Sequence, residues 1–192
     1  MKKVSIVLLT ITIIFSLVSC GNRSTKTNSG QVEEKTSQSD KDKEKAKEEV
    51  KTVTIGSTIS GKSADITVNK IEFSYDVLPD KTDGFYNHYP AEQGKVYINI
   101  DVDVKNTQKQ ELRCGKVMKV EANYNDGYKY NSQAIVEDKN LGFTYANITS
   151  ITPLETKGMR LIIDCPQEVE KSANTLTLTF DIDGEKYNYT MR

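Results

Sequence analysis

The sequence predicts an all-β protein, an antiparallel β-sandwich of seven to nine strands over residues 52–192. Short segments in which apolar and polar residues alternate recur along this part of the chain, and Gly, Pro, Asn and Asp separate them. No segment after residue 51 has the 3.6-residue apolar period of an amphipathic helix. The length suits one domain with its own core.

The first 19 residues predict an export signal. Lys2 and Lys3 precede an apolar run at residues 4–18, which is shorter than a membrane-spanning helix needs. The run ends in L-V-S-C at residues 17–20, which resembles the lipobox of bacterial lipoproteins. This resemblance implies that Cys20 is lipidated and becomes the mature N-terminus, anchored at the extracytoplasmic face of the cell membrane. An uncleaved anchor and an ordinary signal peptide are the alternatives.

Residues 20–51 predict a disordered, charged tether. They contain no aromatic residue, and the charge run from Asp40 to Lys51 has nearly balanced signs. Such a segment buries too little apolar surface to offset the entropy lost on ordering. We therefore expect a plain spacer, on the order of 30 Å long as a random coil, rather than a tail that binds the membrane surface or the cell wall.

Two strands and a long loop are predicted next. Val53–Gly56 is a short first strand. In Ala64–Tyr75 the apolar positions change parity, so a bulge at Asn69-Lys70 is needed to place both sets in the core. Residues 74–94 break all periodicity and contain two prolines, which predicts a long loop.

The central strand of the predicted sandwich is Lys95–Thr107. Its apolar side chains alternate strictly with polar ones, which predicts one buried face and one face in water. The buried set is Val96, Ile98, Ile100, Val102 and Val104, and the wet set is Tyr97, Asn99, Asp101 and Asp103.

Six further strands are predicted. Tight hairpins are expected at residues 125–127 and at Asp183-Gly184, because Asp-Gly accepts the positive φ of such turns. Residues 137–142 are one helical turn or a loop. The strands are Met118–Tyr124, Tyr128–Val136, an irregular Phe143–Ile151, Met159–Cys165, Leu176–Ile182 and a last strand through Tyr187 and Tyr189.

A series of short segments spans residues 52–192 in a distinctive order. The segments are I-G at 55–56, I-T-V-N-K-I-E at 66–72, G-K-V-Y at 94–97, V-D-V-K-N-T at 102–107, D-G-Y at 126–128, the turn from Pro153 to Gly158, and the strand that ends at Pro166. They resemble a family of bacterial immunoglobulin-like domains of unknown function on Gram-positive lipoproteins, similar in plan to a secreted immunoprotective antigen of mycobacteria. The resemblance implies an immunoglobulin-like sandwich with an extracytoplasmic location. It carries over no catalytic residue, because the family has none in common.

The residue types argue against several function classes. His88 is the one histidine, and the chain has no Gly-x-Ser-x-Gly, phosphate-loop or Cys-x-x-Cys motif. We therefore predict a protein that is not an enzyme and needs no cofactor. Without Lys2 and Lys3 the chain has 24 basic and 27 acidic residues, and this net charge of −3 argues against nucleic-acid binding.

Two carboxylate pairs raise the alternative of a calcium site. Asp101 and Asp103 lie on one predicted strand, and Asp181 and Asp183 lie on another or in its turn. Calcium takes about six to eight oxygen ligands, so the pairs would serve only if these strands are neighbours. We predict no metal site and keep a small-ligand or calcium-binding module as the alternative function.

Cys114 and Cys165 share the parity of inward-facing neighbours, so both thiols are expected in the core. A pair of cysteines outside the cytoplasm can form a disulfide. We favour a disulfide over two buried thiols.

The best lead to function is a cluster of aromatic residues in the loop of residues 74–94, called the aromatic loop below. Phe85, Tyr86, His88 and Tyr89 lie within five positions of each other in this otherwise polar loop. Aromatic side chains on loops often anchor protein or glycan partners, although they can instead fold back and cap the sandwich. The predicted function is a membrane-anchored, non-catalytic module that binds a protein or glycan at the cell surface.

Overall fold

The computed structural model describes residues 51–192 and shows a β-sandwich of two main sheets. The five-stranded sheet has the order β1 (Lys51–Thr52), β15 (Glu185–Thr190), β14 (Leu176–Ile182), β8 (Met118–Tyr124) and β9 (Tyr128–Asn131). The six-stranded sheet has the order β11 (Gly142–Tyr145), β10 (Gln133–Asp138), β13 (Thr156–Pro166), β6 (Lys95–Asn106), β3 (Ala64–Ser74) and β2 (Thr58–Ser60). The predicted β-sandwich is therefore confirmed.

Shorter elements occupy the connections. Two pairs of two-residue strands are β4 (Asp76–Val77) with β5 (Tyr89–Pro90), and β7 (Leu112–Arg113) with β12 (Ser150–Ile151). A 3-10 turn spans Cys114–Lys116, and α1 spans Gln167–Lys171. None of the helices in residues 51–192 has the length and apolar character needed to cross a membrane.

The start of the chain lies largely outside the described residues. This applies to the predicted export signal, to Cys20 and to the predicted tether up to residue 50. Lys51, predicted as the last residue of the tether, instead belongs to β1 and pairs with Tyr187 of β15.

Strand β6 lies at the centre of the six-stranded sheet, paired in antiparallel fashion with β13 on one edge and β3 on the other. All five of its predicted core residues are fully buried between the sheets. Burial of each aliphatic side chain of this kind stabilises the folded state by about 1.5–3 kcal/mol. The opposite face differs from the prediction, because Asn99 is buried and Tyr97 and Asp101 are half-buried. This burial shows that another part of the chain covers the outer face of the six-stranded sheet.

The first strands follow the prediction in part. A bulge at Asn69 shifts the register from Val68 opposite Val102 to Lys70 opposite Asp101, as predicted. The predicted strand Val53–Gly56 is wrong: the chain turns there, with Gly56 at a φ of 82°, and strands β1 and β2 flank the turn. A strand cannot continue through the left-handed backbone conformation that this turn requires.

The chain crosses from one sheet to the other at Ser132. Strand β9 pairs with β8, whereas β10 pairs with β11 and β13, so the predicted strand Tyr128–Val136 is two strands in two sheets. Ser132 holds the crossing point: its N–H donates to the Val120 carbonyl, and its Oγ accepts the Val120 N–H, both at 2.9 Å.

The turns and the short helix are the remaining differences. Asp183 and Gly184 have positive φ as predicted, but in the other hairpin Asn125 and Asp126 take the positive φ instead of Gly127. Asp138 accepts the N–H groups of Asn140 and Leu141, so this segment is a turn and not a helix. The predicted irregular strand at residues 143–151 is two strands, β11 and β12, and α1 was not predicted.

Candidate interaction surface

The aromatic loop lies across the outer face of the six-stranded sheet and does not cap an open end of the sandwich. Strands β4 and β5 pair at its base, with Asp76 opposite Pro90 and Val77 opposite Tyr89. Above the sheet, Val77 packs into a cluster with three outward-facing side chains of the sheet, Ile135, Phe143 and Ile162. The loop and the sheet thus form a second, smaller core.

Tyr89 belongs to this smaller core. Its ring lies 5.9 Å from the ring of Phe143, and its side chain packs against the cluster together with Tyr97. Burial raises the pKa of the Tyr89 hydroxyl. The structure therefore assigns Tyr89, one of the four predicted partner-binding residues, a packing contact with the sheet.

The other three predicted residues lie nearer the surface. Phe85 is 76% exposed, whereas Tyr86 is half-buried. The ring of His88 stands edge-on to that of Tyr86 at 5.9 Å, and its Nδ1 lies 2.7 Å from Oδ1 of Asp76. The predicted set thus divides: Phe85 is exposed, Tyr89 packs on the sheet, and Tyr86 and His88 contact each other within the loop.

The loop is held at the edge of the sheet by close backbone contacts. Asn87 donates its N–H to the Leu141 carbonyl at 2.7 Å. Gly142 follows with a φ of 76°, and a Cβ on it would lie 2.8 Å from Cβ of Tyr86 and 2.9 Å from the Asn87 carbonyl. Only glycine permits both this backbone conformation and this approach.

A cluster of charges joins the loop to the sheet on its other side. Arg160 on β13 is only 5% exposed, and its guanidinium pairs with three carboxylates. Its Nη2 lies 2.5 Å from Asp80 of the loop and 3.0 Å from Glu137 of β10, and its Nη1 lies 2.9 Å from Asp101 of β6. One buried cation therefore connects the loop with three neighbouring strands.

Two carboxylates of this cluster have perturbed acidity. Burial raises the pKa of the Glu137 carboxyl to about 7, with the Arg160 charge opposing this shift and the Asp80 charge adding to it. Burial also raises the pKa of Asp101. The backbone N–H of Asp80 points at both oxygens of Glu137, at 3.3 and 3.4 Å.

Strand β11 is an edge of the six-stranded sheet, yet its carbonyl groups are occupied. The Phe143 carbonyl accepts the side-chain amide of Asn87 at 3.5 Å. The Tyr145 carbonyl accepts the N–H of Ile148 and the hydroxyl of Thr149. These contacts occupy two of the carbonyl groups that an added strand would use. Three apolar side chains in or close to this strand are exposed: Leu141, Tyr145 and Ile148.

The predicted disulfide is wrong. Cys114 and Cys165 are both buried, as expected, but both are free thiols. Cys114 lies near Lys157, whose charge partly opposes the rise that burial causes in the pKa of the thiol. Cys165 lies on β13 eight residues after Lys157, roughly 26 Å from it along an extended strand. Cys114 and Cys165 are therefore too far apart for a disulfide, which needs Cα atoms within about 7 Å of each other. Burial raises the pKa of Cys165 to about 12.

The two carboxylate pairs do not meet. Asp101 and Asp103 lie on β6 in the six-stranded sheet, and Asp181 lies on β14 in the other. Asp183 accepts the N–H groups of Lys62 and Ser63 and the Ser63 hydroxyl. Within residues 51–192, no group of three or more His, Cys, Asp or Glu side chains is arranged to hold a metal ion.

Two open clefts lie on the described surface near the sites discussed above. A cleft of about 570 Å³ lies at the crossing point between the sheets, where Met118, Ser132 and Tyr145 line it. A second, of about 480 Å³, lies beside the charge cluster and is lined by Asp80, Glu137 and Lys157.

Sequence reasoning missed Arg160 and the covered outer face. A signal was present: Arg160 and Ile162 share the parity that faces away from the sandwich core, and Ile135 does the same on β10. Apolar residues at outward positions of two strands indicate a sheet that is covered on both faces. A lone arginine among them indicates buried carboxylate partners.

Comparison with known proteins gives one informative relative. No family model matches the chain, and no curated protein matches it. Among solved structures, the chain is similar to an uncharacterized β-sandwich protein from Clostridium difficile 630, with 60% sequence identity and a TM-score of 0.73 over 74% of this chain and 95% of that chain. A conserved hypothetical protein from Bacillus anthracis matches with 14% identity and a TM-score of 0.49, over 72% of this chain and 94% of that one.

The first of these matches has a direct consequence. At 60% identity over nearly all of the relative's chain, the two proteins share both a fold and an ancestor. The chain therefore belongs to the same family as this uncharacterized β-sandwich protein of Clostridium difficile.

Proposed function

We propose that the protein is a membrane-anchored lipoprotein on the extracytoplasmic face, and that its sandwich is an immunoglobulin-like, non-catalytic interaction module. We further propose that a protein partner binds at the aromatic loop. The lipobox-like motif at residues 17–20 supports the anchor. The exposure of Phe85 on a loop that is fixed on both sides carries the proposal of a binding surface.

Phe85 has the properties of an anchor residue. The loop is held two residues after Phe85 by the Asn87–Leu141 hydrogen bond and five residues before it by the Asp80–Arg160 ion pair. An aromatic ring on a fixed backbone loses little conformational entropy when a partner binds it. A ring that served only the packing of the domain would be buried.

The surroundings of Phe85 favour a protein over a glycan. Leu141, Tyr145 and Ile148 are exposed immediately before, in and after strand β11. The loop reaches this region through the hydrogen bond from the Asn87 N–H to the Leu141 carbonyl. Such a surface offers apolar contact area and few hydrogen-bonding groups, which suits a protein interface. Because two carbonyl groups of the β11 edge are already occupied, a partner would bind these side chains rather than the strand backbone.

Site-specific photo-crosslinking on intact cells tests this proposal. A photoreactive residue at position 85 is compared with one at Tyr128, which is 60% exposed on the five-stranded sheet. We expect a discrete adduct from position 85 alone, with a protease-sensitive partner. Free wild-type domain should compete for it, and a Phe85→Ser domain should not. Identical products from both positions, or none from position 85, would overturn the proposed surface, and a glycosidase-sensitive partner would replace the protein with a glycan.

The anchor is tested separately with Cys20→Ala. We expect this variant to appear in the medium or to stay unprocessed, because the lipid acceptor is gone. Normal processing with unchanged membrane retention would rule out lipidation at this residue.

A further inference from the structure

The cluster of Arg160 with its three carboxylates connects the aromatic loop to the sheet beneath it. We propose that Glu137, Arg160 and Asp80 form a proton-sensitive latch, which holds the loop on the sheet when Glu137 is protonated and loosens it when Glu137 is ionised. The consequence for partner binding rests on the function proposed above, whereas the latch itself is a property of the domain.

The geometry of the cluster makes the latch sensitive to a single proton. Asp80 and Glu137 both bind the same guanidinium nitrogen, Nη2 of Arg160, at 2.5 and 3.0 Å. Their carboxylates are therefore close neighbours, and they repel each other when both are charged. A proton taken up from solvent by Glu137 removes this repulsion and supplies an O–H that can donate to Asp80.

The other charges around Glu137 do not cancel this effect. Arg160 faces it from β13, Asp101 from β6 and Asp80 from the loop, so one cation meets three carboxylates. Gly158 packs against the Glu137 side chain, with Asp103 beyond it. Lys81, Lys139 and Lys157 line the neighbouring cleft, but the structure shows no ion pair between any of them and Glu137 within residues 51–192.

Thermodynamic linkage fixes the direction of the switch. The docked loop places the charge of Asp80 beside Glu137, and this charge raises the pKa of Glu137 together with burial. The Asp80 N–H, which the loop also brings to Glu137, lowers this pKa, but its effect is smaller than that of the Asp80 charge. Because linkage is reciprocal, a docked loop that favours the protonated carboxyl must itself be favoured by protonation. The loop should therefore be held more tightly below a pH of about 7 than above it.

Nuclear magnetic resonance of the isolated domain, residues 51–192, tests the latch without any partner. Residues 51–192 make up 74% of this chain, and a match of the same extent covers 95% of the crystallised Clostridium difficile chain. We therefore expect residues 51–192 to fold on their own. Two amides are followed between pH 6 and 8.5. The Asp80 amide reports on Glu137, and the hydrogen-exchange protection of the Asn87 amide reports on docking of the loop.

We expect the Asp80 amide to titrate with a midpoint near 7. The protection factor of Asn87 should fall about fivefold across this range, the change expected from two like charges roughly 4 Å apart in a water-like medium. In Glu137→Gln, which mimics the protonated carboxyl, the titration should vanish and the protection should stay high. Asp80→Asn should also make the protection independent of pH.

Two variants control for other causes. His88→Gln tests the one histidine, which lies in the same loop, and Glu121→Gln makes the same chemical change on the five-stranded sheet. Both should titrate like the wild type. Constant protection of Asn87 in the wild type, or an equal loss in Glu137→Gln, would overturn the latch. A confirmed latch without a crosslinked partner at position 85 would instead refute the proposed function alone.

Discussion

The outer faces of the two sheets differ in what lies over them. On the five-stranded sheet the outward side chains are polar and pair with each other across strands, as Lys129 does with Glu121 and Thr179 with Asn188. On the six-stranded sheet the aromatic loop covers apolar residues, among them Ile135 and Ile162, and a buried arginine.

This difference shows how an extra binding element can be added to a sandwich. A loop can stay in one conformation only if it buries apolar surface and satisfies its polar groups. Here Val77 and Tyr89 supply the apolar contacts and Asp80 supplies the charge, so the intervening residues can present Phe85 outward. Within residues 51–192 no loop covers the outer face of the five-stranded sheet, whose side chains are polar and solvated.

The largest difference between the two faces should come from a charge placed on each. Ile162→Asp buries an unpaired carboxylate under the loop, and we expect the free energy of unfolding to fall by roughly 3–5 kcal/mol. Thr177→Asp, at an outward position of β14, should change it by about 0.5 kcal/mol or less. Chemical denaturation measures both. Equal losses in the two variants would show that the outer faces do not differ.

Removal of one cation from each face should give the next largest difference in stability. Arg160→Met leaves three carboxylates without their partner, and losing one partner of a buried ion pair typically costs about 3–5 kcal/mol. Some of this cost is relieved because Asp80 is mostly exposed and Glu137 can take up a proton. Lys129→Met breaks an exposed pair, which is worth about 0–1 kcal/mol. Thermal denaturation at pH 8 compares the two variants. Equal melting temperatures for Arg160→Met and Lys129→Met would show that the Arg160 cluster does not stabilise the domain.

Two aromatic residues of the loop should also differ in how much their loss lowers the free energy of unfolding. Tyr89→Ser removes a ring that packs on Phe143 and should cost about 2 kcal/mol, less than a fully buried aromatic would. Phe85→Ser removes an exposed ring and should stay within about 0.5 kcal/mol of wild type. Equilibrium unfolding in urea resolves this difference. A large loss in Phe85→Ser would make that residue part of the fold and not of a binding surface.

The charge cluster on the covered face should also make stability depend on pH. The pKa of Glu137 is about 7 in the folded chain, above the ordinary value of 4.5, so the folded state holds this proton more tightly than the unfolded state. The contribution of Glu137 to the free energy of unfolding should therefore decline as pH rises from about 4.5 to about 7 and then level off. The difference between wild type and Glu137→Gln in urea titrations isolates this contribution. A difference that is constant with pH would contradict the raised pKa of Glu137.

The sequence by itself determined the sandwich core. Strict alternation in β6, β8 and β14 leaves one register in which every aliphatic side chain is buried, because a shift by one residue would expose all of them. The bulge at Asn69 and the hairpin at Asp183-Gly184 were predictable for the same local reason, since parity and backbone conformation are properties of a few adjacent residues.

Only the tertiary structure decided where distant segments meet. The crossing at Ser132, the separation of Cys114 from Cys165 and the position of the aromatic loop on the six-stranded sheet all depend on contacts between residues far apart in the chain. Arg160 illustrates the reason: its partners Asp80, Asp101 and Glu137 come from three other segments, and no local pattern relates them. Alternation shows which side chains point the same way, but the pairing of strands and the path of a loop follow from the packing of the whole domain.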